Sequence, residues 1–255
     1  MADGKYGLPS AFFCLFTMSG TIGTKNESSL HRQLKLSYAG SDGRTEVELS
    51  GFVADAVGPD GERVEIQLGS FSPLKKKARE LAAHGTMKIV CPVIVAKRLE
   101  FFDSQGGALG SRKSNRSGKI WDLFKALVYA ADLPLVPGLE IELALVEVAE
   151  MRVRDGKGSW RRRGVSVGDR RLLEIRERIL LKRPCDYVRF IPFAKKEEFT
   201  SIELSEKAGI RPELARKTLY VLAGLGIVEK TGKLGNANLF RLLAGPGTKN
   251  WKKPH

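Results

Sequence analysis

Hydrophobic positions recur at two spacings in the first part of the chain. A polar cluster at residues 26–29 precedes leucines at positions 30 and 34, a spacing that predicts a helix to about Tyr38. Residues 45–57 alternate between apolar and polar side chains, as a strand with one buried face does. A Gly-Pro-Asp-Gly turn follows, and residues 63–68 resume the alternation, so we predict a β-hairpin.

Helices and strands continue to alternate after the hairpin. Residues 73–83 predict a helix with Ser72 at its N-cap, and the nearly continuous apolar run 87–96 is typical of a buried central strand. A helix over 120–131 and a long strand over 139–150 follow a loop rich in Gly, Ser and basic residues. This order of elements indicates an α/β fold class.

The last third of the chain predicts a helix, a short turn, a second helix and then two short strands. After a separate helix at 169–182, these elements cover residues 200–207, 212–224, 227–231 and 238–243. Their order resembles that of winged-helix DNA-binding domains, in which the second helix enters the major groove. Winged helices also mediate protein contacts, and the sequence leaves that alternative open.

These patterns divide the chain into five segments. We expect a flexible N-terminal arm, an α/β domain, a basic linker, a winged-helix domain and a basic tail. In that order, the segments cover residues 1–25, 26–150, 151–171, 172–245 and 246–255.

Charge separates the two halves of the chain. The net charge of the protein is +14, yet residues 1–151 carry 18 basic and 18 acidic side chains. Residues 152–255 carry 25 basic and 11 acidic side chains, so the whole excess lies there. A basic excess confined to one region is typical of a module that binds nucleic acid, and we expect DNA as the partner.

Composition excludes several classes of protein. No apolar run approaches the roughly 20 residues that cross a bilayer, so we expect no membrane partner. Three scattered cysteines form neither a disulfide framework nor a zinc motif, which favours a cytoplasmic protein. A homodimer stays open.

The predicted hairpin carries a candidate metal site. Asp55 ends the first strand, and the turn at 58–61 brings it across from Glu65 and Gln67, which share one face of the second strand. Two converging carboxylates suit Mg²⁺ or Mn²⁺, which could activate water and neutralise a phosphodiester. Acidic residues on a surface hairpin are also common, so spacing alone leaves a purely structural role open.

The stretch VADAVGPDGERVEIQLGSF, with the helices and strand around it, resembles the PD-(D/E)XK, or restriction-endonuclease-like, nuclease superfamily over about residues 26–96. The resemblance implies a mixed sheet flanked by helices. It also implies catalytic roles for Asp55 and Glu65, which would hold the metal, and for Glu27 on the first helix. Gln67 stands where the superfamily usually has lysine, and an amide can only hydrogen-bond. A neighbouring lysine, Lys75 or Lys88, is a candidate replacement.

Basic residues interleaved with Ser, Asn and Trp mark candidate contacts to phosphate. They lie on the helix after the hairpin, in the loop before the second helix, in the basic linker and in the winged-helix segment. They are Lys75, Lys76, Arg112, Lys113, Arg116, Lys119, Arg161, Arg162, Arg163, Arg211, Arg216, Lys217, Lys230 and Lys233. His31 and His84 fall on predicted helices and are expected at the surface.

The sequence therefore predicts a Mg²⁺-dependent DNA endonuclease with a winged helix that supplies affinity for DNA. Two alternatives remain. The first is a DNA-binding regulator whose nuclease-like domain is inactive, which Gln67 favours. The second is a scaffold that uses the winged helix for protein contacts.

Overall fold

A computed structural model describes residues 27–41 and 43–243 of the chain. The predicted arm at 1–25 and the predicted tail at 246–255 lie outside the described residues. Within the described ranges the protein is a mixed α/β structure, which confirms the predicted fold class.

The first elements follow the sequence pattern, with one extra turn. Helix α1 (Ser29–Ala39) begins at Ser28, whose hydroxyl accepts the His31 N–H as an N-cap. The alternating stretch 45–57 is not one strand but two, β1 (Arg44–Leu49) and β2 (Phe52–Val57). Ser50 and Gly51 both have positive φ, the geometry of a two-residue hairpin turn.

A seven-stranded mixed sheet forms the centre of the protein. Its order is β1-β2-β3-β4-β6-β7, and β5 pairs with the far part of β4. The β3–β4 and β4–β6 pairs are parallel, and the other pairs are antiparallel. The remaining elements up to β7 are β3 (Arg63–Ile66), α2 (Lys75–Ala83), β4 (Met87–Asp103), β5 (Ala108–Lys113), α3 (Leu123–Leu127), β6 (Leu139–Arg154) and β7 (Val165–Leu181).

The predictions of a helix at 169–182 and of a linker at 151–171 are wrong. Residues 165–181 are β7, which pairs with β6 along almost its whole length, and residues 160–162 form the short turn between the two strands. Tertiary pairing overrides helix propensity here: β7 pairs with β6, and glutamates of β6 form ion pairs with three arginines of β7 and with Lys182 just after it. These cross-strand partners are Glu140–Lys182, Glu142–Arg178, Glu147–Arg176 and Glu150–Arg170.

The last part contains two helices and a small sheet. Thr200 caps α4 (Ser201–Ala208) in a reciprocal exchange with Glu203, and Gly209 ends that helix with a left-handed φ of 58°. Helix α5 (Pro212–Gly224) follows directly, as the sequence predicted. Strands β8 (Glu198–Phe199), β9 (Val228–Leu234) and β10 (Ala237–Leu242) form a sheet in the order β8-β10-β9.

One hydrophobic core joins this last part to the α/β part. Phe124 on α3 and Phe190 in the connection after β7 are fully buried and meet edge to face, with ring centroids 4.8 Å apart. The same cluster of buried side chains continues into α4, α5 and β10. A smaller cluster lies on the opposite face of the sheet, where α1 packs.

Because the core is shared, we expect the chain to unfold in one transition. Phe190→Ala should lower the free energy of unfolding by about 3–5 kcal/mol, since the cavity cannot be refilled. Leu36→Ala, at a side chain that is 58% exposed, should change it by less than about 0.5 kcal/mol. Denaturant unfolding followed by circular dichroism and by tryptophan fluorescence tests both points. Two separated transitions would contradict the shared core.

Candidate functional site

Asp55 and Glu65 lie opposite each other on adjacent strands. Val57 pairs with Arg63 and Ala56 with Val64, so the register continues to place Asp55 opposite Glu65. Val64 and Ile66 pack with α1, which directs Glu65 to the other face of the sheet, where its partner on α2 lies. Asp55 Oδ2 accepts the Ile66 N–H at 2.8 Å, where the pairing of the two strands ends.

A lysine from helix α2 completes this pair. The Lys77 ammonium donates to Oε2 of Glu65, which is buried. Burial and the nearby Asp55 charge raise the pKa of Glu65, although Lys77 opposes that shift. The same ammonium helps to lower the pKa of Asp55, so it acts on both carboxyl groups.

His31 reaches the site from helix α1. Its Nε2 lies 3.3 Å from Asp55 Oδ2 and 3.0 Å from the Ile66 carbonyl oxygen. The hydrogen bond to Asp55, with smaller contributions from Glu27 and Ile66, raises the pKa of His31 to about 9 despite burial. Burial alone would raise the pKa of Asp55, but the hydrogen bonds from His31 and the Ile66 N–H lower it. His31, expected at the surface, is thus partly buried, with 21% of its side chain exposed.

Glu27 approaches the same cluster through its partners. Its Oε1 lies 2.5 Å from His31 Nδ1 and 2.7 Å from Lys35 Nζ. Glu27 lies just before the N-cap, and His31 and Lys35 follow four and eight residues later on one face of α1. That Glu-x₃-His-x₃-Lys spacing is the sequence signal by which His31 and Lys35 could have been found.

Gln67 and the two candidate lysines occupy other positions. The Gln67 amide donates to the Ser70 carbonyl oxygen at 2.5 Å, and this hydrogen bond stabilises the turn after β3. Lys88 lies near Glu62 and Glu142, at 3.9 and 3.7 Å, rather than near Glu65. Lys75 forms no ion pair within the described part of the chain. Lys77, which the sequence did not single out, is the lysine that contacts Glu65.

The oxygens around His31 fit a hard cation only in part. Asp55 Oδ2 and the Ile66 carbonyl oxygen both lie close to the protonated Nε2, and Glu65 lies across from Asp55. Two carboxylates with a backbone carbonyl suit Mg²⁺, which usually keeps several waters. Over residues 27–41 and 43–243, no three His, Cys, Asp or Glu side chains are grouped as a metal centre. A divalent ion would therefore depend on Asp55, Glu65 and the carbonyl.

The fold gathers several predicted phosphate contacts on one four-stranded arm. We define the β-arm as residues 97–113 and 148–171, which hold β5, the far part of β4 and the β6–β7 hairpin; it carries 12 basic and 5 acidic side chains. Trp160 at its tip is 82% exposed, and the Arg161 guanidinium lies 5.4 Å from the indole centroid. Arg112 lies over the Phe101 ring. Arg112, Lys113, Arg161, Arg162 and Arg163 are all exposed on the β-arm.

The other predicted phosphate contacts are spread over four regions. Lys75 and Lys76 lie on α2, and exposed Lys230 and Lys233 lie on β9. Arg216 is exposed on α5. A fourth set faces a cleft between the α/β part and α5, and consists of Arg116, Lys119, Arg211 and Lys217.

Comparison with known proteins gives a family without a described activity. The family model described as "Domain of unknown function (DUF8091)" matches residues 28–182, more than half of the chain, and the protein belongs to that family. An uncharacterized protein of Treponema pallidum (strain Nichols) is 27% identical over 240 residues, covering 92% of this chain and 94% of its own. No solved structure matches significantly. In the described part of the chain, no helix is both long and apolar enough to cross a membrane.

The raised pKa of His31 predicts a specific pH dependence of stability. Below about pH 6.5 the histidine is protonated in both states and its ion pairs contribute fully. Between pH 6.5 and about 9 only the folded state keeps the proton, so up to about 3 kcal/mol of stability is lost as pH rises. The measurement is denaturant unfolding of wild type and His31→Gln in EDTA.

The two proteins should differ most near pH 6 and converge near pH 9.5. His84→Gln, at an exposed histidine, provides the control and should follow wild type throughout. A constant difference between wild type and His31→Gln across this range would contradict the ion pairs.

Proposed function

We propose that this member of the DUF8091 family is a DNA endonuclease that hydrolyses phosphodiester bonds with Mg²⁺ or Mn²⁺. One observation carries the proposal: Asp55, Glu65 and Lys77 come from three separate elements and meet as two carboxylates and one ammonium. Two carboxylates can hold the metal ion of phosphodiester hydrolysis, and an ammonium can stabilise the phosphate charge that develops in the reaction. This set of groups also supplies a lysine in place of the one that the superfamily usually carries at the position of Gln67.

Each residue has a role that follows from its position. Asp55 and Glu65 would hold the metal, which when bound would lower the pKa of a water and neutralise phosphate charge. Lys77, fixed by Glu65, presents a positive charge to a phosphate oxygen. His31, fixed by Glu27, can hold a proton beside Asp55 Oδ2. Gln67 shapes the turn through Ser70 and stays outside the chemistry.

The finer fold assignments belong to the same proposal. A mixed sheet with Asp on one strand, Glu on the next and a helix after it supports a restriction-endonuclease-like core. Two helices joined at Gly209 and followed by the β9–β10 hairpin support a winged helix. The core that α5 shares with α3 is the feature that departs from a free-standing winged helix.

The β-arm would be a main DNA-binding surface. Residues 152–182 hold 11 basic and 4 acidic side chains, a net +7, and thus half of the net charge of +14. This charge lies within the region that matches the family, and residues 152–171, with a net +6, precede the predicted winged helix. An exposed indole beside guanidinium groups is suited to stacking on a base while neighbouring cations contact phosphate.

A specific observation favours an inactive regulator as the second candidate. Every carboxylate of the cluster already has a cation: His31 for Asp55, Lys77 for Glu65 and Lys35 for Glu27. A cluster balanced in this way is stable as a structural ion network and needs no metal. A scaffold that binds protein through the winged helix remains the third reading.

Single-turnover cleavage at saturating enzyme tests the proposed chemistry. Asp55→Ala should abolish cleavage because an oxygen ligand is lost, while DNA affinity stays equal or rises slightly. Lys77→Met should slow cleavage by roughly 10²–10³-fold, the usual cost of losing one group that stabilises transition-state charge. Lys195→Met, at an exposed lysine to which no contact with DNA is assigned, is the control and should cleave like wild type.

Gln67→Lys adds a second test of the same site. Gln67 forms a hydrogen bond with Ser70, and Lys77 already supplies a cation at Glu65. Gln67→Lys should therefore not raise the rate of cleavage. Equal cleavage by wild type and Asp55→Ala would contradict the assigned site. Absence of cleavage by wild type with Mg²⁺ and with Mn²⁺, on every DNA that binds, would favour the regulator.

DNA affinity should depend on the tip of the β-arm. Replacing Arg161, Arg162 and Arg163 together by alanine removes exposed cations, so the affinity for DNA should fall. The slope of log affinity against log salt concentration should also become shallower, by up to about 0.9 per lost phosphate contact. Fluorescence anisotropy over a salt series measures both. Arg44→Ala, at an exposed arginine on β1, is the single-charge control. An unchanged salt slope in the triple variant would exclude the tip from the interface.

A further inference from the structure

A large cleft lies between the α/β part and the last part of the chain. We define the seam cleft as the space of about 940 Å³ between residues 115–126 and the turn that begins α5. Its floor is formed by β4 near Pro92, and its far wall includes Gly209, Arg211 and Lys217. Lys119 joins the two walls at one end, donating to the carbonyl oxygens of Ala208 and Gly209 at 2.9 and 2.7 Å.

The walls of the seam cleft are basic. Six cationic side chains line it against two acidic ones: Lys97, Arg116, Lys119, Lys125, Arg211 and Lys217, with Asp122 and Glu213. Lys125 pairs with Asp122 and Lys217 with Glu213, which leaves the arginines as the available cations. Arg116 and Arg211, one on each wall, form no ion pair within the part of the chain that the structure describes. Guanidinium groups of this kind are suited to bidentate contact with phosphate.

The floor of the seam cleft is apolar. Pro92, Val93 and Ile94 on β4 face Ile210 and Leu214 across it. A basic rim over an apolar floor matches a nucleic-acid strand, whose phosphates carry the charge and whose bases carry the apolar faces. A small anion would use the rim and leave the floor unmatched.

The seam cleft leads toward the carboxylate site. Leu68, Gly69 and Ser70 line it, and they belong to the turn that Gln67 fastens directly after Glu65 and Ile66. A second cavity of about 250 Å³ shares Leu68, Pro92 and Ile94 with the cleft and extends to Ser28. Ser28 follows Glu27 in the chain, so the path formed by the two cavities runs from α5 to within one residue of that cluster. Its lining does not include Asp55 or Glu65.

A buried carboxylate organises the cations along this path. Glu150, 1% exposed, lies 2.8 Å from Lys97 Nζ and 2.9 Å from Arg170 Nε. Lys97 lines the seam cleft, and Arg170 lines the smaller cavity. Arg152 also pairs with Glu150, so three cations surround one negative charge and the surplus faces the path.

The position of α5 argues against a duplex in this place. A recognition helix must insert as a whole into a major groove about 12 Å wide. Here α5 packs against α3, and Leu214, Thr218, Leu219 and Leu222 are buried. Of the α5 side chains, Glu213, Leu214 and Lys217 line the seam cleft, whereas Arg216 is exposed outside it. An unpaired strand, whose bases are open to the apolar floor, matches such a cleft better than a duplex, whose bases are paired and stacked inside it.

We infer that the seam cleft binds an unpaired nucleic-acid strand, held between Arg116 and Arg211 and directed toward Asp55 and Glu65. In naming this strand as the substrate, the inference rests on the proposed function. The preferred substrate is then DNA with a single-stranded segment rather than intact duplex.

Binding in EDTA tests the inference without cleavage. The probes are a fluorescent 20-nucleotide DNA strand, the RNA of the same sequence and the blunt DNA duplex, measured by anisotropy with the full chain. Arg116→Ala and Arg211→Ala should each weaken binding of the DNA strand about tenfold and lower its salt slope by about 0.7. Neither side chain makes a hydrogen bond within the described residues, so both variants should fold normally. Arg44→Ala is the control and should bind like wild type.

A strand that carries 4-thiothymidine should crosslink to residues 114–119 and 211–217. Binding that is unaffected by both variants, or crosslinks confined to the β-arm, would overturn the inference. Cleavage of blunt duplex that does not need Arg116 or Arg211 would overturn it as well, while leaving the nuclease proposal intact. Strand binding in the cleft without cleavage would uphold it and contradict the nuclease. Tighter binding of the RNA would uphold the cleft and change the substrate from DNA to RNA.

Discussion

The antiparallel pairing of β6 with β7 determines the arrangement of the whole protein. The two strands are long, and they are held by opposite charges that face each other across the pair, from Glu140–Lys182 at one end to Glu150–Arg170 toward the other. Most of these pairs are partly exposed, so each contributes little alone; their value lies in fixing register. Glu150 differs because it is buried among three cations, and although burial opposes ionisation, those ion pairs lower its pKa to about 2. Removing its partners would leave a buried charge, and that makes it a strong constraint on register.

This pairing also explains why the charge balance of the sequence was only partly informative. Counted along the chain, the basic excess begins at residue 152 and suggests a separate binding module. In the folded protein, Arg170, Arg176, Arg178 and Lys182 face glutamates of β6, so part of that excess has a structural partner. A helix over 169–182 was a reasonable expectation because Leu, Arg and Glu favour helices. The matching pattern of glutamates on β6 is a non-local signal, and local propensity does not contain it.

The candidate site divides in the same way into local and non-local parts. Asp55 and Glu65 could be predicted to converge because a turn of known length fixes the register of a hairpin. Glu27 could be placed only through the family resemblance. Lys77 could not be found, because its approach to Glu65 depends on how α2 packs across the sheet. His31 and Lys35 lay within reach of sequence reasoning, since their spacing from Glu27 repeats every four residues on α1.

The electrostatic balance of the cluster connects the proposed chemistry to the basic path. Glu27, Asp55, Glu65 and Glu46, which pairs with Lys35 from β1, supply four negative charges, and His31, Lys35 and Lys77 supply three positive ones. A divalent cation between Asp55 and Glu65 would leave the cluster with one surplus positive charge in a partly desolvated place. A phosphodiester entering along the seam cleft carries the compensating negative charge, so metal and strand should each favour the binding of the other. The same argument explains why the chain alone is stable with its carboxylates paired internally: until both ligands arrive, histidine and lysine are the cations that keep these acids ionised and in position.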